Sequence, residues 1–242
     1  MNNPPKPKYC ITMGSCRQLF MNKSRIQIDI TYPHYTKEIL QLIKYCKYGE
    51  SIVRQNETNY TFRTPILHDK ELIYIDKFKN ELEKMDVCLI EIASKKVYKY
   101  NNLYVHHIAH DQHYKACSGM KKDIIVYDQE KEEIESDILE IKRELGDKQI
   151  IIVCHQVTRD YGERYKLSIW LEDICRRHNI TFINPVKEMK KAFLLSDDDI
   201  PSLFSNKEKN YNHLSGKGEN MMRQIYNRVI AGGNQVPPSP PP

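Results

Sequence analysis

Apolar positions along this chain fall into two spacings. Short continuous runs occur at Tyr9-Cys10-Ile11-Thr12-Met13, Val87-Cys88-Leu89-Ile90-Glu91-Ile92, Ile150-Ile151-Ile152-Val153-Cys154 and Ile180-Thr181-Phe182-Ile183. Between and after them come stripes at helical spacing. These are Ile39, Leu42, Ile43 and Cys46, then Ile134, Ile138, Ile141 and Leu145, then Leu167, Trp170, Leu171, Ile174 and Cys175. Two more follow, at Val186, Met189 and Phe193 and at Met222, Ile225, Tyr226 and Val229. Runs that do not alternate with polar residues belong to strands covered on both faces, which are the strands of parallel sheets. The pattern predicts an α/β fold: a three-layer sandwich with a central parallel sheet and helices on both faces. Thr36 opens the first helix, Gly146 closes the one over 129–145, a third covers 165–177, Pro185 starts a fourth, and the last spans about 215–230.

Residues 1–7 read as a Pro-rich lead, 8–231 as one domain, and 232–242 as a tail running into Pro237-Pro238-Ser239-Pro240-Pro241-Pro242. Such a tail is expected to be polyproline II or disordered. Residues 50–80 and 98–125 show no period and are rich in Tyr, Asn and His, so they are expected to be irregular loops that supply substrate contacts.

Composition narrows the classes. The 242 residues carry 37 Lys+Arg against 32 Asp+Glu, a formal charge of +5, and Lys131-Glu132-Glu133 is typical of how the signs interleave. No basic block marks a nucleic-acid footprint. No run of about 18 apolar residues predicts a membrane span, and residues 1–8 lack the apolar core of a signal peptide. The seven cysteines lack CxxC spacing and several sit in apolar runs, which suits reduced thiols in the cytoplasm. No nucleic-acid or membrane partner is expected, and the sequence leaves the oligomeric state open.

The most informative residues are Met13-Gly14-Ser15-Cys16-Arg17, directly after the first strand. Gly14 allows a tight turn into a helix, and Ser15 then stands at a helix N-terminus, where N–H groups favour a developing oxyanion. Such a serine is either a helix N-cap or a nucleophile. Cys16 is the intrinsically better nucleophile and is an alternative to it. At the far end, Asn210-Tyr211-Asn212-His213-Leu214-Ser215 precedes the last helix, and His213 is placed to reach the strand ends as a general base.

A strand ending in Gly-Ser-Cys, with a late Asn-His-Leu-Ser-x-x-Gly before the final helix, resembles the SGNH/GDSL hydrolase superfamily and its GSCFA-like branch over roughly residues 8–230. The resemblance implies a Ser15 nucleophile whose own N–H helps form the oxyanion hole, and a His213 base. The family's acid three residues before that histidine is replaced here by Asn210, so either Asn210 holds the imidazole or an acid among Asp197, Asp198 and Asp199 does. The Gly-x-Asn-Asp block is also missing. Ser94 stands about where its oxyanion donor would be, and Gly49 corresponds loosely to the second-block glycine. The implied function is a serine esterase or acyl transferase acting on O-acyl esters, an O-acetyl carbohydrate among them, without cofactor. The alternative is a catalytically silent SGNH-fold module that binds carbohydrate or another partner.

Two further sets carry chemistry. His106, His107, His110 and His113, with Asp111, form the densest histidine cluster. On a helix, His106, His110 and His113 would share a face and suit zinc, but the segment lacks helical boundaries, so a polar rim is expected and no metal. His155 follows the third strand and can reach a pocket at the strand ends, or can be a satisfied edge histidine. Gly216-Lys217-Gly218 lacks phosphate-loop spacing.

Overall fold

The four apolar runs become neighbouring strands of one parallel sheet. In the computed structural model, which describes residues 8–21, 24–205 and 213–232, these are β1 (Cys10–Met13) and β2 (Val87–Ile92), β6 (Gln149–Cys154) and β7 (Thr181–Ile183), in the order β1-β2-β6-β7. Register aligns Met13 with Ile90, Glu91 with Val153, and Ile92 with Cys154. The expected lead at 1–7 lies outside the described residues, as does all of the tail beyond Gly232.

Period-2 alternation divides each strand between two cores. Ile11, Met13, Cys88, Ile90, Ile92, Ile150 and Ile152 face α1 (Thr36–Tyr48), α5 (Lys131–Leu145) and α6 (Glu163–Arg177). Val87, Leu89, Ile151 and Val153 face α7 (Pro185–Phe193) and α8 (Gly216–Ile230). The predicted stripes make these contacts: Ile39, Leu42, Ile43, Ile134, Ile138, Ile141, Leu171 and Ile174 are fully buried. The sandwich therefore has helices on both faces of the sheet. A one-residue slip of β2 would exchange its two sets of side chains, which fixes the register and with it the place of Glu91 at the strand end.

The segments read as irregular are more ordered than their pattern implies. Residues 50–80 contain α2 (Thr58–Thr61), α3 (Arg63–His68) and the start of α4 (Asp76–Lys84), while β3 (Lys96–Tyr100), β4 (Leu103–Tyr104) and β5 (Ile125–Asp128) form a separate antiparallel sheet. Helices of one or two turns cannot display a stripe, and α4 buries only Phe78 and Leu82. The small sheet is tied down by polar groups instead. The Tyr35 hydroxyl reaches the carbonyls of Val105 at 2.7 Å and Tyr98 at 3.0 Å, and Gln41 exchanges two hydrogen bonds with the main chain of Tyr104. No helix among the described residues is long and apolar enough to cross a membrane.

Candidate functional site

The site grows from a close approach at the carboxyl ends of β1 and β2. Gly14 has φ +149°, and a Cβ there would lie 2.6 Å from the Glu91 Cβ. With no side chain at 14, the Glu91 carboxylate folds over the end of β1. It accepts from the Ser15 N–H at 3.1 Å, from the Ser15 hydroxyl in a short hydrogen bond, and from Arg17 Nε at 3.3 Å. Ser15 and Glu91 are each 1% exposed. The Gly14 carbonyl is held from the other side by Gln27 Nε2 at 2.6 Å, and Gln27 also accepts from Thr12.

Several expectations about this turn change. The helix predicted after Ser15 is a single turn, Cys16–Gln18, and the Ser15 hydroxyl does not cap it. A helix that short has no macrodipole to offer. The Ser15 N–H expected in an oxyanion hole is donated to Glu91. Cys16 is exposed.

His213 is exposed, and its main chain pairs with a neighbouring loop: its carbonyl accepts from Ser205 N at 2.9 Å, beside a Phe204–Leu214 bridge. No hydrogen bond joins it to Ser15 among the described residues. The Leu214-Ser215-x-x-Gly218 run after it has a packing role. Ser215 caps α8 by accepting from Gly218 N, and a Cβ on Gly218 would meet the Leu203 carbonyl at 2.4 Å. Asn210 lies outside the described residues. Asp197 pairs with Lys190, and Asp199 caps its own turn through Ser196. Gly49 closes α1 at the end away from the sheet's carboxyl edge, with its Cα facing the Tyr74 ring. The helix's 13 residues put it about 20 Å from Thr36, too far to join the site.

Beside the Glu91 cluster a cavity of about 430 Å³ opens at the strand ends. Arg17, Arg164, Lys95, His34, His107 and His155 line it, and the expected loop segments contribute Tyr98 and His107. Its described lining holds four Lys or Arg side chains against Asp128 and Glu163, both of which pair with Lys95. Burial and then Arg17 pull the Arg164 pKa below its ordinary value. Ser94 lines the same cavity, but its N–H is donated to the His34 carbonyl and its hydroxyl oxygen accepts from Lys96 N. The arrangement suits an anionic ligand, since cations gathered in a half-enclosed site attract one sign of charge.

His155 is where the sequence put it, one residue past β6, and is 3% exposed. Its Nδ1 lies 3.2 Å from the Gln156 carbonyl, which sets it as the N–H, and Nε2 is buried without a partner among the described residues. Burial first, then Arg17 and Arg164, hold its pKa well below the ordinary 6.5. Below that value the unfolded chain takes up a proton on residue 155 that the folded protein refuses. Stability should therefore fall as pH drops from about 6.5 towards 5, by at most about 1.4 kcal/mol per pH unit for this group. Urea unfolding across that range should show a shallower fall for His155→Gln, and an unchanged slope would remove His155 from the balance.

His106, His110 and His113 do not share a helical face. His107–His110 is one turn, His110 packs against Tyr98, and His113 is exposed beside Asp111. The three-histidine group that does form is His34, His106 and His107. Sequence reasoning missed His34, which nothing local marks, and Glu91, whose charge inside an apolar run was the signal that could have found it. Comparison with protein-family models, with curated proteins and with solved structures finds no match for this chain.

Proposed function

We propose that the protein is an ester-processing enzyme, a serine esterase or acyl transferase, whose substrate carries an anionic group. The observation that carries this reading is the junction at the ends of β1, β2 and β6. There a buried Ser15–Glu91–Arg17 chain adjoins a cationic cavity that His155 also lines. The Ser15 hydroxyl already donates to a carboxylate, which can receive its proton as the oxygen attacks an acyl carbon. Arg17 and Arg164 are the groups to hold the substrate's anion and the developing oxyanion. Ser15 is 1% exposed, so productive binding has to shift the Ser15–Arg17 turn. By the resemblance to SGNH hydrolases, O-acyl and O-acetyl carbohydrate esters are the class to try first.

One observation favours a binding-only module instead: Glu91 engages both Ser15 donors, and no histidine is hydrogen-bonded to the serine among the described residues. A fluorophosphonate probe and an acetyl-to-octanoyl series of p-nitrophenyl esters separate the two. Labelling and turnover that disappear in Ser15→Ala support the enzyme. An unlabelled Ser15 in folded protein that still binds carboxylated or phosphorylated sugars, with at least tenfold weaker binding in Arg164→Ala, would leave only the module.

A further inference from the structure

We propose that His34, His106 and His107 bind a divalent transition metal ion of the zinc class, with the remaining coordination position open to the cavity. The three rings come from two segments that the fold clamps together. His34 precedes α1, and its carbonyl accepts from the N–H groups of Ala93 and Ser94 at 2.9 and 3.0 Å. His106 and His107 follow β4. Val105, just before them, accepts from the Tyr35 hydroxyl, and the His106 N–H donates to the Thr61 carbonyl at 2.9 Å. The backbone on each side is thus fixed without an ion, which is the pre-organisation a metal site needs.

One ligand nitrogen from each ring lies within 4.8 Å of the other two. Tetrahedral zinc with Zn–N of about 2.1 Å sets ligand atoms about 3.4 Å apart, so rotations of about 1 Å close the set. His106 supplies an independent sign. It is 1% exposed, its Nδ1 accepts from the Ile108 N–H at 3.3 Å, and its Nε2 is buried without a partner among the described residues. A buried ring nitrogen that the protein leaves unpaired beside two other imidazoles is a place where an ion or water completes the set. His34 and His107 line the cavity, so an ion among the three would face it. Three histidines and an open position are the donor set of a reactive rather than a structural zinc site.

Electrostatics support the neutral ligand form. At His34 burial, then the neighbouring His107 and the charges of Arg17 and Arg63, disfavour the protonated ring, and the same two arginines push the exposed His107 in the same direction, which suits neutral ligands. Those two arginines also repel a bare dication. An anion in the open position would offset them, so metal affinity should rise when a carboxylate or phosphate ligand is present. The site does not depend on Ser15 being reactive.

The test is titration of the full chain, without a polyhistidine tag and stripped of metal, using Co²⁺ by absorption and Zn²⁺ against a chromophoric chelator. One equivalent of Co²⁺ should give intense four-coordinate bands without thiolate charge transfer. His34→Ala and His107→Ala should weaken binding by about 100-fold or more, while His110→Ala and His113→Ala leave it unchanged. His107 opens to the cavity, so His107→Ala keeps the test readable if His34→Ala fails to fold by circular dichroism. Absent bands, a thiolate band that moves the ion to Cys16, or equal losses in His110→Ala would overturn the proposal. None of these readouts involves ester turnover, so the fate of this site is separable from that of the serine.

Discussion

Gly14→Ala should cost about 3 kcal/mol or more, among the largest losses available to a single methyl group in this protein. Two effects add at this position. The backbone at 14 has φ +149°, a conformation that costs an L residue about 1–3 kcal/mol. The new Cβ would also sit 2.6 Å from the Glu91 Cβ and 3.2 Å from its Cα and N. That neighbour is main chain in a parallel sheet, with β1 and β2 hydrogen-bonded up to Met13–Ile90. It cannot swing aside as a surface side chain would, and overpacking of this kind costs roughly another 1–3 kcal/mol. For a domain of this size about 3 kcal/mol lowers Tm by roughly 6–12 °C. Gly119→Ala is the control. Its φ is +91°, but nothing lies within 4 Å of the added Cβ, so only the backbone effect operates and about 1 kcal/mol is expected. Thermal unfolding followed by circular dichroism compares the two. Equal losses would mean that the ends of β1 and β2 do not meet as described.

That contrast also indicates which parts of the molecule were legible in advance. A rule that acts within one element leaves its mark in the sequence. The unalternating runs at 87–92 and 150–154 read as strands covered on both faces, and the Ile134-Ile138-Ile141 stripe reads as an amphipathic helix. Both are found. Where order comes from partners far along the chain, local pattern is silent. β3 and β5 pair across residues 96–128 and expose Ile125 to solvent, which no alternation rule anticipates. Their anchor, Tyr35, lies 63 and 70 residues away from the carbonyls it holds. The site divides in the same way. Gly14, Ser15 and His155 were visible because each lies within two residues of a strand's carboxyl end. His34 becomes a neighbour of His106 only through folding, whereas His110 and His113 share nothing with His106 but their spacing in the chain. Glu91 lay between the cases: its charge inside an apolar run was a signal, but the partners that explain it, Ser15 and Arg17, are more than 70 residues distant.

Glu91→Ala should be more damaging than Ser15→Ala, with a loss of about 3–5 kcal/mol. The carboxylate is 1% exposed and receives three donors. Removing it strands the Arg17 guanidinium, whose side chain is only 10% exposed, and breaking one side of a buried ion pair typically costs that much. Ser15→Ala deletes a single hydroxyl donor and leaves Arg17 paired, so about 1–2 kcal/mol is expected. Glu91→Gln should fall between them, because the amide keeps an acceptor for Ser15 but no charge for Arg17. The decisive comparison is the pair Glu91→Ala with Arg17→Met. If the damage comes from a stranded charge, adding Arg17→Met should restore part of the stability, and the two losses will not add. Urea unfolding of the singles and the double closes the cycle. Additive losses, or a Glu91→Ala cost below that of Ser15→Ala, would show that the carboxylate does not organise this corner. The same cycle bears on the cavity, since Arg17 is the side chain that joins the Glu91 cluster to the lining. With Glu91 gone the stranded Arg17 charge is left facing the cavity, so a bound anion should restore part of the stability that Glu91→Ala loses.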